Sequence, residues 1–496
     1  MIKKIYNILR IIFLIISLII SAYASKLYEG SVFIFGIYCA SFIGMVFFLT
    51  NRKSSYFEIF FASYLFLGFW FKYIFSLILY NGVVFESGQE NSKNIDDILF
   101  IGILISLTCL FSSFISKKII NKTICLNNNI KERFFFEIIY LNNRILILSL
   151  FIILIITVSF LNNKIGIYQR GFITITETSW LISNLIKWLL LFGLTTFSCF
   201  IIHVEVNHGK KINFLTIFIS LFEIFMSQTS ILSRLFPINT LSIILPTYQQ
   251  VSKLKKKIDQ KFFILFVIFF FFSVTSIYLV NHIRLDRLNS IKIDWKNINE
   301  SDPAEESNLS LQSKIENYKF QIPKKNITSN NVSQFILINR WIGLDSLILV
   351  HNSKKLSFNL LYDSLKESKK FNTDNTFYET TFGLSSDKII ILTHKEILKG
   401  NTLPGIISYL YYSGNLYFVL ISLFFIIILF NSFENFIKKI TGSNIIFACF
   451  LSNIIATRLM HFGYAPKESY LFVSSIILAV TIMVFLSRTT YFFRRK

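Results

Sequence analysis

Apolar runs fill the chain up to about residue 281 and again from Pro404 onward, and a single polar segment, His282 to Leu403, separates them. About 20 apolar residues in a row are enough to span the hydrocarbon core of a bilayer as a helix. With no water there to bond the backbone, each run has to satisfy its own N–H and C=O groups, and a helix does this. Runs such as Phe262–Ile277 are apolar on every face, which excludes the alternating pattern of an outer-membrane barrel. A hydrophobic share of 53% over 496 residues is more than a soluble chain could hide. The expected fold is therefore an all-α polytopic membrane protein with about 12 transmembrane helices and one large, mainly helical extracytoplasmic loop. It divides into residues 1–281 (transmembrane helices 1–9), 282–403 (the loop, with amphipathic helices) and 404–496 (transmembrane helices 10–12).

The expected spans are Ile8–Ala24, Val32–Thr50, Phe57–Tyr80, Ile98–Ile115, Ile145–Leu161, Trp180–Ile202, Ile212–Ser227, Leu235–Val251, Phe262–Asn281, Pro404–Phe430, Asn444–His461 and Tyr470–Leu486. The eighth is short and holds Pro237 and Pro246. Charge requires it, because Lys253, Lys255, Lys256 and Lys257 belong on the same side as the other basic loops. That side also carries Lys3, Lys4, Arg52, Lys53, Lys210, Lys211, Lys438, Lys439, Arg494, Arg495 and Lys496. The alternation holds through all twelve spans. It places both termini in the cytoplasm and the long loop outside. The loop holds 17 Lys+Arg against 14 Asp+Glu, so +19 of the total charge of +22 lies elsewhere. The positive-inside rule accounts for that excess. No basic patch on a folded domain points to nucleic acid. None of the five cysteines lies in the loop, and no CxxC or Cys/His cluster suggests a metal.

Within the loop, Gln334–Asn352 has apolar residues at helical spacing, Ser357–Lys370 reads as a second amphipathic helix, and Thr393-x-x-Glu396 is a capping-box pattern with Gly400 as a stop.

The polar residues with most to say are those a membrane makes costly. Lys72, Lys187, Glu223 and Arg458 lie within spans. Each is read either as a snorkelling or ion-paired structural group or as part of a cavity. Arginines on the outer side run against the charge rule: Arg170, Arg234, Arg284, Arg287 and Arg340. Arginine suits bidentate phosphate binding, so an anionic headgroup such as a pyrophosphate is the expected ligand, against the blander readings of lipid-phosphate contact or a local pair such as Arg340 with Asp345. Arg458 and His461 are three apart and share a helix face. His461, His394, His282 and His351 are candidate bases, with Glu379 and Glu177 behind them. Asp96–Asp97 resembles the acidic pair of metal-dependent polyprenyl-sugar transferases, but it opens the fourth span, where a helix N-terminus favours acidic residues. No Walker loop, GxGxxG, HExxH or GxSxG occurs.

The pattern resembles the O-antigen or oligosaccharide repeat-unit polymerase family (Wzy-type) and the related O-antigen ligases. The likeness rests on about twelve spans with a late outer loop, on Arg170–Gly171 in an earlier loop, and on Ser233–Arg234 at the outer end of a central hairpin. It rests also on the segments Asn339–Asp345 and Thr402–Asn415. The resemblance implies an enzyme of the bacterial inner membrane with a periplasmic loop. Such an enzyme carries out metal-independent inverting glycosyl transfer, with no cofactor, from an undecaprenyl-pyrophosphate-linked glycan to a lipid-linked acceptor. His461, Arg340 and Arg234 would be catalytic. Arg170, Arg234, Arg340, Arg458 and Arg284 would bind pyrophosphate and glycan. Membrane lipids and a chain-length regulator are the implied partners. A His-Asn or His-Ser motif of the ligase kind is missing at the loop exit, where Leu403–Pro404–Gly405 stands instead; this favours a polymerase. The alternatives are a ligase or another lipid-linked glycosyltransferase, a lipid-linked oligosaccharide flippase, and a sensor or assembly protein. A flippase needs no loop of this size and tends to show two similar halves, which are not visible here.

Overall fold

The computed structural model describes residues 2–50, 54–80, 95–124, 135–170, 179–208, 214–254, 261–290, 341–367, 377–382, 403–463 and 466–494, and among these every regular element is helical. Six helices are long and apolar enough to cross a membrane: Val32–Leu49, Tyr56–Leu79, Asp96–Ile119, Arg144–Ile165, Leu181–His208 and Leu416–Ile440. Shorter apolar helices accompany them at Arg10–Ala24, Phe214–Ser230, Val267–Ile283, Ile445–Met460 and Ser469–Thr481.

The first group of elements is α1 (Ile2–Ala24), α2 (Val32–Leu49), α3 (Tyr56–Leu65), α4 (Lys72–Tyr80) and α5 (Asp96–Ile124). A π-helical turn, Phe66–Phe71, joins α3 to α4 without breaking the run. The second group is α6 (Phe135–Asn142), α7 (Arg144–Ile165), α8 (Trp180–Trp188), α9 (Leu194–His208), α10 (Phe214–Ser230), α11 (Phe236–Lys253) and α12 (Lys261–Ser290), with a second π turn, Leu189–Gly193, between α8 and α9. Helix α12 continues past the expected end at Asn281, so the polar segment leaves it only after Ser290, and Arg284 and Arg287 fall on its final turns.

Two expectations for the third group are corrected. Pro404–Phe430 is not one helix. It is a short α16 (Gly405–Leu410) with a 3-10 turn at Tyr411–Ser413, then a break, then α17 (Leu416–Ile440). The break has local causes. Gly414 sits at φ +68°, a conformation that ends helices, and the Asn415 side chain accepts from Phe418 N at 3.2 Å and caps a new one. Of the loop helix expected over Gln334–Asn352, residues 334–340 lie outside the described residues; residues 341–343 are not helical, with Ile342–Gly343 against another helix backbone, and α13 (Leu344–His351) follows. Nor is α13 amphipathic: Leu344, Asp345, Ser346, Leu347, Ile348 and Val350 are all buried. The second loop helix is α14 (Phe358–Leu365), capped by the Ser357 hydroxyl on Leu360 N, and shorter than Ser357–Lys370. Next comes α15 (Phe377–Phe382). The Thr393–Gly400 pattern lies outside the described residues. The chain closes with α18 (Ile445–Met460) and α19 (Pro466–Arg494).

Helix α18 is the hub. It packs on α3 on one side and on α11 and α9 on another, and it is buried along nearly its whole length. Its buried apolar side chains belong to a core shared by α1–α5 and α13–α17, while α7, α9 and α10 build a second cluster around Phe151, Ile155, Leu194 and Ile201.

The end of the bundle rich in lysines is tied by two buried carboxylates, Glu58 and Glu434. The Glu58 carboxylate accepts from Asn431 Nδ2 (2.7 Å) and Ser116 Oγ (3.1 Å), with Lys117 at 3.4 Å. Glu434 accepts from Phe57 N (2.8 Å) and Ser452 Oγ (3.0 Å) and pairs with Lys438. Buried charge is tolerated when paired and bonded in this way, and here it registers α3, α5, α17 and α18 against one another.

Candidate functional site

At the opposite end of the bundle, Asn162 organises the turn after α7. Its Nδ2 donates to Tyr168 O (2.9 Å), Ser230 O (3.1 Å) and Ser230 Oγ (2.9 Å), and its Oδ1 accepts from Tyr168 N (2.8 Å). One buried amide therefore clamps the 166–170 turn onto the end of α10. Arg170 N then donates to Ile231 O (2.9 Å), and Arg170 Nη1 to Ser233 Oγ (3.4 Å). The two arginine motifs, 63 residues apart in sequence, meet in this contact. Lys187, on α8, lies 5.9 Å over the ring of Tyr168, which adds a third cation beside the turn.

Arg234 is half-buried at the tip of the α10–α11 hairpin, and its guanidinium forms no hydrogen bond or ion pair with another described residue. Burial alone pulls its pKa below the usual arginine range. Arginine nonetheless keeps its charge in proteins, so a cation is held partly out of water with no carboxylate paired to it among the described residues. Such a position favours an anionic ligand.

A polar layer sets the register of the neighbouring helices. Tyr64 OH donates to Asn453 Oδ1 (2.9 Å), and Asn453 Nδ2 donates to Asn239 Oδ1 (2.9 Å), linking α3, α18 and α11. Four residues onward from Tyr64 stands Gly68; five onward from Asn453 stands Arg458; five back from Asn239 stands Arg234. At about 1.5 Å of rise per residue Gly68 and Arg458 stand roughly 6–8 Å beyond the layer, and Arg234, in the turn before α11, lies on the same side of it. Arg458 lies 5.4 Å over the ring of Phe472 on α19. His461 ends α18 one turn beyond Thr457, and its Nδ1 faces Thr457 O at 2.7 Å. A carbonyl only accepts, so the neutral ring carries its hydrogen on Nδ1 and its lone pair on Nε2.

The polar segment reaches the same level. The Ile342–Gly343 backbone rests on Gly68: a Cβ at Gly68 would stand 2.0 Å from Ile342 O. Lys72, on the same face one turn along, forms an ion pair with Asp345 at 2.6 Å, with side chains only 2% and 4% exposed. Asp345 is thus held by a membrane helix, and Lys72 is a buried ion-pair partner and does not snorkel. Ser346 Oγ meets Gly343 O (2.8 Å), Pro404 O (2.8 Å) and Ser408 Oγ (3.0 Å), and Gly405 N donates to Phe462 O (3.1 Å). The loop entry and loop exit are therefore both fastened beside the end of α18.

The remaining expected residues divide as follows. Arg340, His394 and Glu177 lie outside the described residues, and so do the side chains of Arg284, Arg287 and Glu379. Glu223 is fully buried and accepts from Thr195 Oγ1 (3.0 Å) and Ser227 Oγ (2.9 Å), a hydrogen-bonded group between α9 and α10. His351 stacks on Tyr411 with ring centroids 5.7 Å apart, and His282 lies tilted against Tyr278 at 6.0 Å. Asp96 accepts from Tyr28 OH (2.5 Å) and, through both oxygens, from Ser31 N (3.1 and 3.0 Å), while Asp97 is exposed. That arrangement ties the α1–α2 turn to the start of α5, whose first turn holds both aspartates. The sequence reading missed Asn162, Asn239 and Asn453. Their signal was an amide inside or beside an apolar run, where it has to find a partner. Comparison with known proteins finds no matching family model, no matching curated protein and no matching solved structure.

Proposed function

We propose that this chain is a membrane-embedded glycosyltransferase that polymerises lipid-linked oligosaccharide repeat units, with about twelve spans, both termini cytoplasmic and the 282–403 loop on the periplasmic face of a bacterial inner membrane. The observation that carries the reading is the contact of Arg170 with the Ser233–Arg234 turn, where the half-buried Arg234 guanidinium has no counter-charge among the described residues and lies on the same side of the Tyr64–Asn453–Asn239 layer as Arg458. An undecaprenyl-pyrophosphate glycan is a ligand of matching charge and membrane depth.

In this reading the acceptor hydroxyl attacks the anomeric carbon from the face opposite the pyrophosphate. A new C–O bond forms as the bond to the pyrophosphate oxygen breaks, with inversion. Arg170 and Arg234, together with Arg340 and Arg284 from the polar segment, take up the charge on the departing pyrophosphate, and Arg458 supports them. His461, with its lone pair on Nε2, accepts the hydroxyl proton. No metal is required, because the guanidinium groups carry the electrostatic task.

The test is the surface glycan of a deletion strain complemented with wild type, Arg234→Ala or Arg234→Lys. Single repeat units on the lipid carrier without long chains, rescued by wild type and by neither variant, support the proposal. Full-length polymer stranded on its carrier points to a ligase, and repeat units trapped on the cytoplasmic face to a flippase; either result overturns it.

A further inference from the structure

The polar segment is expected to lie outside the membrane, yet its residues Ile342–Gly343 meet the middle of a membrane helix. The run Tyr56–Leu79 has 24 residues and is long and apolar enough to cross a membrane. Gly68 is its thirteenth residue, and Gly68 carries the contact with Ile342–Gly343. That contact is backbone on backbone in both directions, since a Cβ on Gly343 would stand 2.3 Å from the Gly68 carbonyl atoms. The π turn at Phe66–Phe71 surrounds it, and such turns recur where a membrane helix has to reshape itself around a neighbour. Lys72 and Asp345 form their ion pair one turn away, out of water.

We propose that Lys72 is a positioning residue: through Asp345 it holds segment 341–351 as a re-entrant element inside the bundle, and that element sets the position of the α18 end that carries His461. The connection is continuous. Asp345 is followed by Ser346, whose hydroxyl bonds Pro404 O; Gly405 donates to Phe462 O, and a Cβ at Gly405 would stand 3.1 Å from Met460 O. Gly405 is at φ +70°, a backbone state that other residues rarely adopt, so the junction is built to one geometry. The pair is suited to this task because breaking one partner leaves a buried uncompensated charge, while removing both leaves an apolar contact. The functional arm of the argument rests on the polymerase reading; the structural arm does not.

The experiment uses the full chain in native membranes with its cysteines replaced and Val350→Cys introduced on α13, where the valine is fully buried. A membrane-impermeant maleimide reports whether α13 is seated, and turnover is measured per monodisperse molecule on a lipid-linked repeat unit. Slow labelling is expected in this background. Lys72→Met should raise the labelling rate and lower turnover, each about tenfold or more, and Lys72→Met with Asp345→Leu should return both to within about threefold. A merely structural pair would lower yield but leave turnover per folded molecule intact. The inference is overturned if Lys72→Met labels no faster, if the double variant stays inactive with Val350→Cys protected (Lys72 then acts on substrate directly), or if the double variant fails to accumulate. Failure of the polymerase reading appears separately, as a wild-type chain that makes no polymer while the labelling pattern still holds.

Discussion

Replacing Asn162 by alanine tests whether the arginine turn depends on its clamp. The wild-type amide engages two N–H donors and one oxygen with Tyr168 and Ser230, and the residue is fully buried. At about 1 kcal/mol net for each of three bonds, the change costs about 3 kcal/mol. Part of that is the loss of the acceptor for the Tyr168 N–H. The loss falls on docking of the 166–170 turn against α10 more than on global folding, because α7 continues to pack through Phe151, Ile155 and Val158. About 3 kcal/mol shifts the docked-to-released ratio roughly 150-fold, which is enough to separate Arg170 from Ser233 for much of the time. The assay pairs hydrogen exchange over residues 166–170 with glycan chain length in complemented cells. Faster exchange confined to that turn and to 230–234, together with short chains as for Arg170→Ala, is the expected result. Wild-type exchange and wild-type chain length would refute the clamp.

Two further outcomes follow from the same geometry. Gly68→Ala places a carbon 2.0 Å from Ile342 O, and since both partners are backbone neither can rotate away; the cost should reach the upper end of overpacking, about 3 kcal/mol, seen as reduced resistance to unfolding in mixed micelles, whereas Gly36→Ala, inside α2 with nothing near its Cβ, should not reduce it. Asp96→Ala removes the charge-assisted bonds to Tyr28 and Ser31, so about 2 kcal/mol of stability should be lost by the same measurement, with no dependence of activity on added Mg2+ in either form.

The parts of the molecule legible in the sequence are those with local causes. Hydropathy over a single run marks a membrane helix, and helices lie at α2, α5, α7 and α17 because their apolar composition is sufficient on its own. Turn chemistry is equally local, and where it was overlooked the reading failed: Gly414–Asn415 carries a stop and a cap, and a continuous apolar run hid both. The arginines could be singled out because a positive charge on the less basic face needs a reason, but their sequence neighbourhoods did not show which of them meet. Asn162 supplies the missing information, and it acts across 68 residues on Ser230.

Lys72 and Asp345 show most sharply why the rest was hidden. Each alone has an ordinary explanation: a lysine in a span can reach for the surface, and an aspartate in a polar loop can stay in water. Only together, 273 residues apart, do they become a buried pair. The glycines beside them carry the reason this arrangement is possible. With any side chain at Gly68 or Gly343 the backbones could not touch, the Lys72 ammonium would have no carboxylate within reach, and its burial would be too costly to sustain. The ion pair thus depends on the glycine contact for its geometry, and the glycine contact, which buries a carbonyl against a helix, depends on the ion pair and on Ser346 to be held in place. Neither half confers an advantage alone. Gly68→Ala and Lys72→Met should therefore be strongly non-additive in a double-mutant cycle, each having already released the segment that the other would free.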